Sequence, residues 1–386
     1  MAGRVRAHDQ MLRDRLSRGR TVFIGGPRLA GRTTAGRTLS TSYLDWNDLA
    51  DRLVIMRGPE AVVRHLGLDK GREREATLVI DNFHGERHRK SFLRRFNVRF
   101  GQRLRLVVTT LESLQGAVRI HPWSVGECAH SATAGSLLEP PAGISDEDWA
   151  ALLEHGGFPE PFRKRDAHFT HRWQTRRQQE LIENDLPRLA AVRDPAIVQM
   201  LALLLSERSA TPLIYSDLSH ELGVTVDTIR RWLDLLVRLQ FGFCVRPWSD
   251  RVPKALRKEP KWFVRDWSAV TTDPLARTRT FIACHLLKAV EGWADRGFGR
   301  FELRYVRDKL KREVDFLVVR DRRPWFLVAV AADDTAAVST LAYFQRCTRA
   351  RHAFHVTLDG SFSDADCFAQ TDPVKVSART LLSQLL

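Results

Sequence analysis

The chain has 386 residues, 44% apolar and 28% charged, with 61 Lys and Arg against 46 Asp and Glu and a formal net charge of +15. This apolar share excludes disorder as the main state and is enough for two or three packed units. The longest apolar runs, such as Val198–Leu205, fall well short of the roughly 20 residues a bilayer span needs.

A basic balance favours phosphate-bearing partners, although an arginine-rich composition alone produces the same excess. Asn82–Arg105 carries eight basic residues and one acidic, and Asp250–Arg265 carries six against two. Both stretches read as nucleic-acid contacts or as solvated faces. The N-terminus lacks the apolar core of a signal peptide. The five cysteines are scattered without a CxxC pair and read as free thiols, which points to a cytoplasmic protein with no membrane partner. Thirteen histidines show no HxH or HExxH spacing, so no metal site is expected from them.

Thr21–Gly25, Thr77–Asp81 and Leu104–Thr110 are predicted strands, separated by helical patterns such as Glu60–Leu66 and Arg89–Phe100. This alternation predicts an α/β unit with a parallel sheet over residues 1–140. A turn-rich stretch around Pro140 and Pro141 closes it. Residues 141–275 read as mainly helical. Residues 276–386 combine a helix at Phe281–Trp293 with strands at Phe301–Val306, Glu313–Val319 and Trp325–Ala331.

After the first strand comes Gly26-Pro27-Arg28-Leu29-Ala30-Gly31-Arg32-Thr33-Thr34, which fits GxxxxGK[ST] except for Arg32 in the lysine position. The pattern wraps backbone N–H groups around phosphates at a helix N-terminus. Gly26, Pro27, Arg28, Gly31, Arg32, Thr33 and Thr34 are therefore the candidate nucleotide-binding residues, with Thr33 positioned to hold Mg²⁺. A planar guanidinium still binds phosphate but places its charge differently from a lysine. Asp81, at the tip of a second apolar strand, is the candidate second residue on the Mg²⁺ side. Asn82 follows it where a water-activating glutamate is usual, and an amide cannot take that proton.

With these motifs the chain resembles bacterial and archaeal AAA+-type ATP-binding proteins that carry a C-terminal domain of unknown function. Their GPRQVGKTT, IDEI(Q/H) and TGSS motifs correspond to Gly26–Thr34, to Ile80-Asp81-Asn82-Phe83-His84 and to Thr109–Ser113. Leu114-Gln115-Gly116-Ala117, His121-Pro122-Trp123-Ser124, Gly156-Gly157-Phe158-Pro159-Glu160 and Asn184-Asp185-Leu186-Pro187 follow in the family's order. The resemblance implies ATP or ADP with Mg²⁺ as ligands. The loop lysine, the glutamate after the aspartate and a later arginine are replaced by Arg32, Asn82 and Ala117, so weak or absent hydrolysis is expected and no residue is assigned a catalytic role.

Tyr215–Phe243 reads as two helices around Gly223-Val224-Thr225. The second helix bears Thr225, Thr228, Arg230 and Arg231 near its start, the candidate DNA-binding residues, and resembles the family's winged-helix segment. The same module also serves as a packing unit. Glu313-Val314-Asp315-Phe316 resembles a restriction-nuclease-like EVDF motif. The resemblance implies a partner glutamate and lysine at Ala329 and Ala331 and a helix glutamate at Arg279, which leaves Asp315 alone in a nuclease remnant. The expected protein is a nucleotide-binding switch or scaffold. The alternatives are a non-enzymatic scaffold for duplex DNA or a protein partner, and a slow ATPase.

Overall fold

The computed structural model describes residues 6–19, 21–68, 76–84, 86–112, 114, 116–130, 135–189, 192, 194–248, 259–330 and 334–385, with the backbone alone at 86–87, 188–189 and 334–336. Strands β1 (Thr21–Gly25), β2 (Ser42–Asp45), β3 (Thr77–Asp81), β4 (Arg105–Thr110) and β5 (Val118–Arg119) form one all-parallel sheet in the order β2-β3-β4-β1-β5. β3 is buried along its whole length, as a parallel strand covered on both faces must be. Side chains alternate between two cores. Leu78, Ile80, Leu106 and Val108 pack with Phe83, Phe92 and Phe96, whereas Val79 and Val107 pack with Val22, Ile24, Ala35 and Val118. Because β4 lies between β1 and β3, the ends of all three strands reach the same rim, where open parallel sheets take their ligands.

Helix Arg32–Leu39 covers this sheet at Gly36, where a Cβ would stand 3.3 Å from Val79 Cγ1 and 3.4 Å from Thr109 Cγ2. The N-terminus is tied down by Glu127, on helix Val125–Ala129. This carboxylate accepts from Arg6 Nε at 3.0 Å, from the Ala7 amide at 2.8 Å and from Lys288 Nζ. Lys288 also donates to the Pro122 carbonyl at 3.0 Å.

Helices Asp146–His155, Pro159–Lys164 and Ala167–Glu180 lead into a π-helical turn at Leu181–Asp185. Helices Pro195–Glu207, Tyr215–Leu222 and Val226–Arg238 follow. Gly223, at φ 64°, ends the second of these three, and the Thr225 hydroxyl caps the third. Next come β6 (Gly242–Pro247), β7 (Lys261–Val264) and helix Pro274–Asp295. That helix starts well before the predicted Phe281, because Asp273 caps it and Pro274 fits its first turn.

The C-terminal strands are β8 (Phe301–Arg307), β9 (Glu313–Arg320), β10 (Arg323–Ala329), β11 (His352–Thr357) and β12 (Val374–Ser377). They join β6 and β7 in one seven-stranded mixed sheet, ordered β12-β11-β10-β9-β8-β6-β7. This sheet runs across residue 275, the boundary read from the sequence. One apolar cluster accordingly links Leu201, Leu236 and Trp262 of the helical region to Trp293, Phe326 and Phe354. Among the described residues no helix is long and apolar enough to cross a membrane.

Candidate phosphate-binding site

The loop between β1 and helix Arg32–Leu39 depends on two glycines. At Gly26 a Cβ would stand 2.5 Å from the Ile120 carbonyl oxygen, so the loop can leave β1 beside β5 only without a side chain. Gly31 sits at φ 110°, ψ 13°, in the left-handed region, and no side chain caps the helix it opens. Pro27 is buried, Thr33 half-buried and Thr34 exposed. A helix N-terminus with no capping side chain and no acidic residue in its first turn presents amides and a partial positive charge to an anion.

Asp81, fully buried at the end of β3, is the hub of this rim. Its Oδ2 accepts from Thr33 Oγ1 at 2.7 Å, Tyr43 OH at 2.7 Å and Asn82 Nδ2 at 3.2 Å. Its Oδ1 accepts from Thr109 Oγ1. The two residues predicted for Mg²⁺, Thr33 and Asp81, are thus in direct contact. The Thr33 hydroxyl keeps its lone pairs for a cation, but the water shell of that cation would have to replace one of the donors around Asp81. Among the described residues no three His, Cys, Asp or Glu side chains converge as a metal site. Burial and the bond to Asp81 push the Tyr43 phenol up, so it stays a donor. The Arg37 guanidinium lies 4.7 Å from its ring centroid.

Asn82 adopts φ 56°, a conformation asparagine tolerates. Its amide nitrogen donates to Asp45 Oδ1 at 3.1 Å as well as to Asp81. Both carboxylates fix the amide in place, and no general base stands at this position.

The two arginines of the loop differ. Arg28 donates through Nε to Glu180 Oε2 at 2.9 Å and through Nη1 to both oxygens of Asp185, at 2.9 and 3.1 Å. Arg32 is 7% exposed, and its Nη1 has no hydrogen-bond acceptor among the described residues. Burial lowers this guanidinium to about 10 against the opposing pull of Asp81 and Asp185, so it remains charged at neutral pH. Sequence reasoning missed Tyr43, Asp45 and Glu180 altogether and noted Asp185 only as part of a motif. The four come from a half-buried edge strand and from helical turns 152 and 157 residues after Arg28, and no spacing rule connects them to the loop.

The other predicted sites lie elsewhere. Thr225, Arg230 and Arg231 are exposed and Thr228 half-buried at the start of helix Val226–Arg238. Arg230 is 3.3 Å from Asp227 and lies over the Tyr215 ring at 5.5 Å. The far end of the helix is docked, with Arg238 3.0 Å from Glu112 and Gln240 donating to the Leu111 carbonyl at 2.7 Å. Of the second basic stretch, 250–258 lie outside the described residues. Its Lys261 and Arg265 correct the reading of a contact face, because both are buried beside carboxylates. In the first stretch Arg89 is buried and bonded to Phe83 O and Glu112, while Arg95 and Arg99 pair with Glu60. Asp315 on β9 pairs with Arg279 at 2.8 Å and accepts the Val330 amide at 2.8 Å; Ala331 lies outside the described residues. A built-in guanidinium therefore neutralises the carboxylate that a metal would need.

Comparison with known proteins adds the following. A domain of unknown function (DUF8612) matches residues 146–272. An uncharacterised protein of Mycobacterium bovis and one of Mycobacterium tuberculosis are each 28% identical over 269 residues. The match covers 66% of this chain and 56% of each relative, so the chain spans little more than half the length of these proteins. The Walker-type ATPase of Pyrococcus abyssi aligns over 68% of this chain and 93% of its own, at 12% identity and a TM-score of 0.41.

Proposed function

We propose that this protein binds a nucleoside di- or triphosphate through Gly26–Thr34 and turns it over weakly or not at all, acting as a switch or scaffold. The observation that carries the reading is Arg32, a charged, buried guanidinium at the start of an uncapped helix, whose Nη1 has no acceptor among the described residues. A buried donor without a partner is costly, and an incoming phosphate oxygen would satisfy it. The loop amides and the helix terminus would receive the phosphate chain, and Arg32 would supply the fixed charge. When bound, Mg²⁺ would add charge neutralisation at the phosphates, with Thr33 and the shell of Asp81 on its side. Turnover needs a group that takes a proton from water. Asn82 cannot take one, and its amide is already bonded to Asp45 and Asp81.

The test is calorimetric titration with ATP and ADP, with and without Mg²⁺, alongside steady-state phosphate release. Binding that disappears in Gly31→Val, with release near background, is expected. No heat and no thermal shift at millimolar nucleotide would refute the reading. Robust release abolished by Asp81→Ala would establish a working ATPase instead.

A second reading concerns duplex DNA. On this reading helix Val226–Arg238, with Thr225, Arg230 and Arg231 exposed at its start, and the antiparallel strands β6 and β7 that follow it in the chain would serve as a winged helix. Phosphate contacts there would make binding fall steeply with salt. Anisotropy titrations of wild type and of Arg230→Ala with Arg231→Ala test it, and equal affinities would assign the module to packing. We read the C-terminal sheet as a nuclease-like remnant, and no DNA cleavage with Mg²⁺ or Mn²⁺ is expected from it.

A further inference from the structure

The phosphate loop is held from outside its own sheet. Arg28 donates to Glu180 and Asp185, and both residues belong to the segment that joins helix Ala167–Glu180 to the π-helical turn Leu181–Asp185. Asp185 is 1% exposed and ends that turn; Glu180 is half-buried and lies 3.7 Å from Arg176 on its own helix. Asp185 also acts electrostatically on Arg32, the second guanidinium of the loop. Arg28 thus points its charge at two carboxylates, and one of them shares the neighbourhood of Arg32.

A phosphate chain on this loop would bring negative charge next to Asp185 and would draw on the same guanidinium groups. Two anions cannot share them without repulsion. A π-turn carries one residue more than the α-helical path and is uncommon outside functional sites. Closing it to α geometry would turn the residues on its two sides relative to each other by about 100°, the angle per residue of an α-helix. Such a rotation is sufficient to take Asp185 off Arg28.

We propose that Glu180 and Asp185 are an internal competitor for the phosphate site, and that phosphate binding releases the 180–185 turn from Arg28. The inference rests on the nucleotide reading above and gives it a mechanism of regulation. The loop signals occupancy through the helical region, and anything that holds the turn in place weakens the ligand. No covalent step is involved.

The experiment uses the full chain and two probes, ATP and inorganic pyrophosphate, titrated by calorimetry into wild type, Asp185→Asn and Glu180→Gln. Asp185→Asn keeps the shape and removes the competing charge, so affinity for both probes should rise about tenfold or more, within the usual range of coupling between sites. The rise for Glu180→Gln should be smaller, because that carboxylate is partly solvated. Hydrogen exchange on wild type provides a second readout that needs no variant. Amides of 181–186 should exchange faster when ATP is bound, and this measurement together with Glu180→Gln decides the matter if Asp185→Asn does not fold. Wild-type binding with no gain in either folded variant and unchanged exchange would overturn the competitor and leave the nucleotide reading intact. No binding of either probe to any folded protein would overturn both.

Discussion

Glu127→Gln is the sharpest test of how the chain is held together. The Glu127 side chain is fully buried and faces two cations, Arg6 and Lys288, with side-chain exposures of 11% and 8%. Burial alone would raise this carboxyl, but Arg6 and Lys288 hold it well below the ordinary carboxylate range. Glutamine keeps the shape and can still accept the Ala7 amide, but it leaves a buried ammonium and a buried guanidinium without their counter-ion. Breaking a buried pair from one side costs about 3–5 kcal/mol. At about 2–4 °C per kcal/mol for units of 150–250 residues, the melting temperature should fall by roughly 6–20 °C. Differential scanning calorimetry measures it, and Lys288→Met in the same chain should restore much of the loss, because it removes the stranded charge. A fall of less than about 2 °C, or a double variant as unstable as the two single losses added, would refute the argument.

Gly26→Ala should cost roughly 1–3 kcal/mol, because the new Cβ meets the Ile120 carbonyl at 2.5 Å and β5 must move; a urea midpoint equal to wild type would contradict this. Glu291 is held at about 2, since its hydrogen bond to His121 and the charges of Arg265 and Arg119 outweigh burial, and Glu127 is depressed as well. Depressed carboxylates stabilise fully above their ordinary value of 4.5, and that stability disappears as pH falls toward 2. Urea midpoints should therefore drop between about pH 5 and about pH 3, and a flat profile would count against both pairs. Burial pushes the Cys284 thiol up to about 12, and those of Cys244 and Cys367 up to about 11. Ellman's reagent at about pH 8 should accordingly titrate at most two of the five thiols before denaturation, and fast reaction of a third would be inconsistent with that burial.

The sequence revealed those elements whose pattern is local. β1 and β3 have the predicted bounds, and β4 starts one residue later than predicted, because an apolar run of five or six residues between helices leaves little choice. The helix pair around Gly223 was legible for a similar reason, through its cap and its 3.6-residue period. β2 and β5 gave no signal. Ser42–Asp45 is a half-buried edge, and Val118–Arg119 is too short to alternate. β6 and β7 escaped notice because their partner β8 lies beyond an entire helix. At the site, the loop and the Asp81 tip were readable from spacing. The bonds from Tyr43 and Thr109 to Asp81 and the grip of Glu180 and Asp185 on Arg28 were not, since contacts between distant segments, across 152 and 157 residues for the two ion pairs, leave no periodic trace.

The strand order of the C-terminal sheet has a consequence for dissecting the protein into pieces. β6 pairs on one side with β7 and on the other with β8, through Arg246 opposite Arg304 and Pro247 opposite Tyr305, and the Trp248 amide donates to the Tyr305 carbonyl at 2.7 Å. A fragment ending at 272, where the matched domain ends, or at 275 would contain both hairpin strands but lose β8. The end of β6, at Arg246 and Pro247, would then lose its partner strand next to the buried Val245. Open edges next to apolar surface recruit other chains. A fragment of the helical region that ends there is therefore expected to be less stable, and more prone to associate, than one extending through β12.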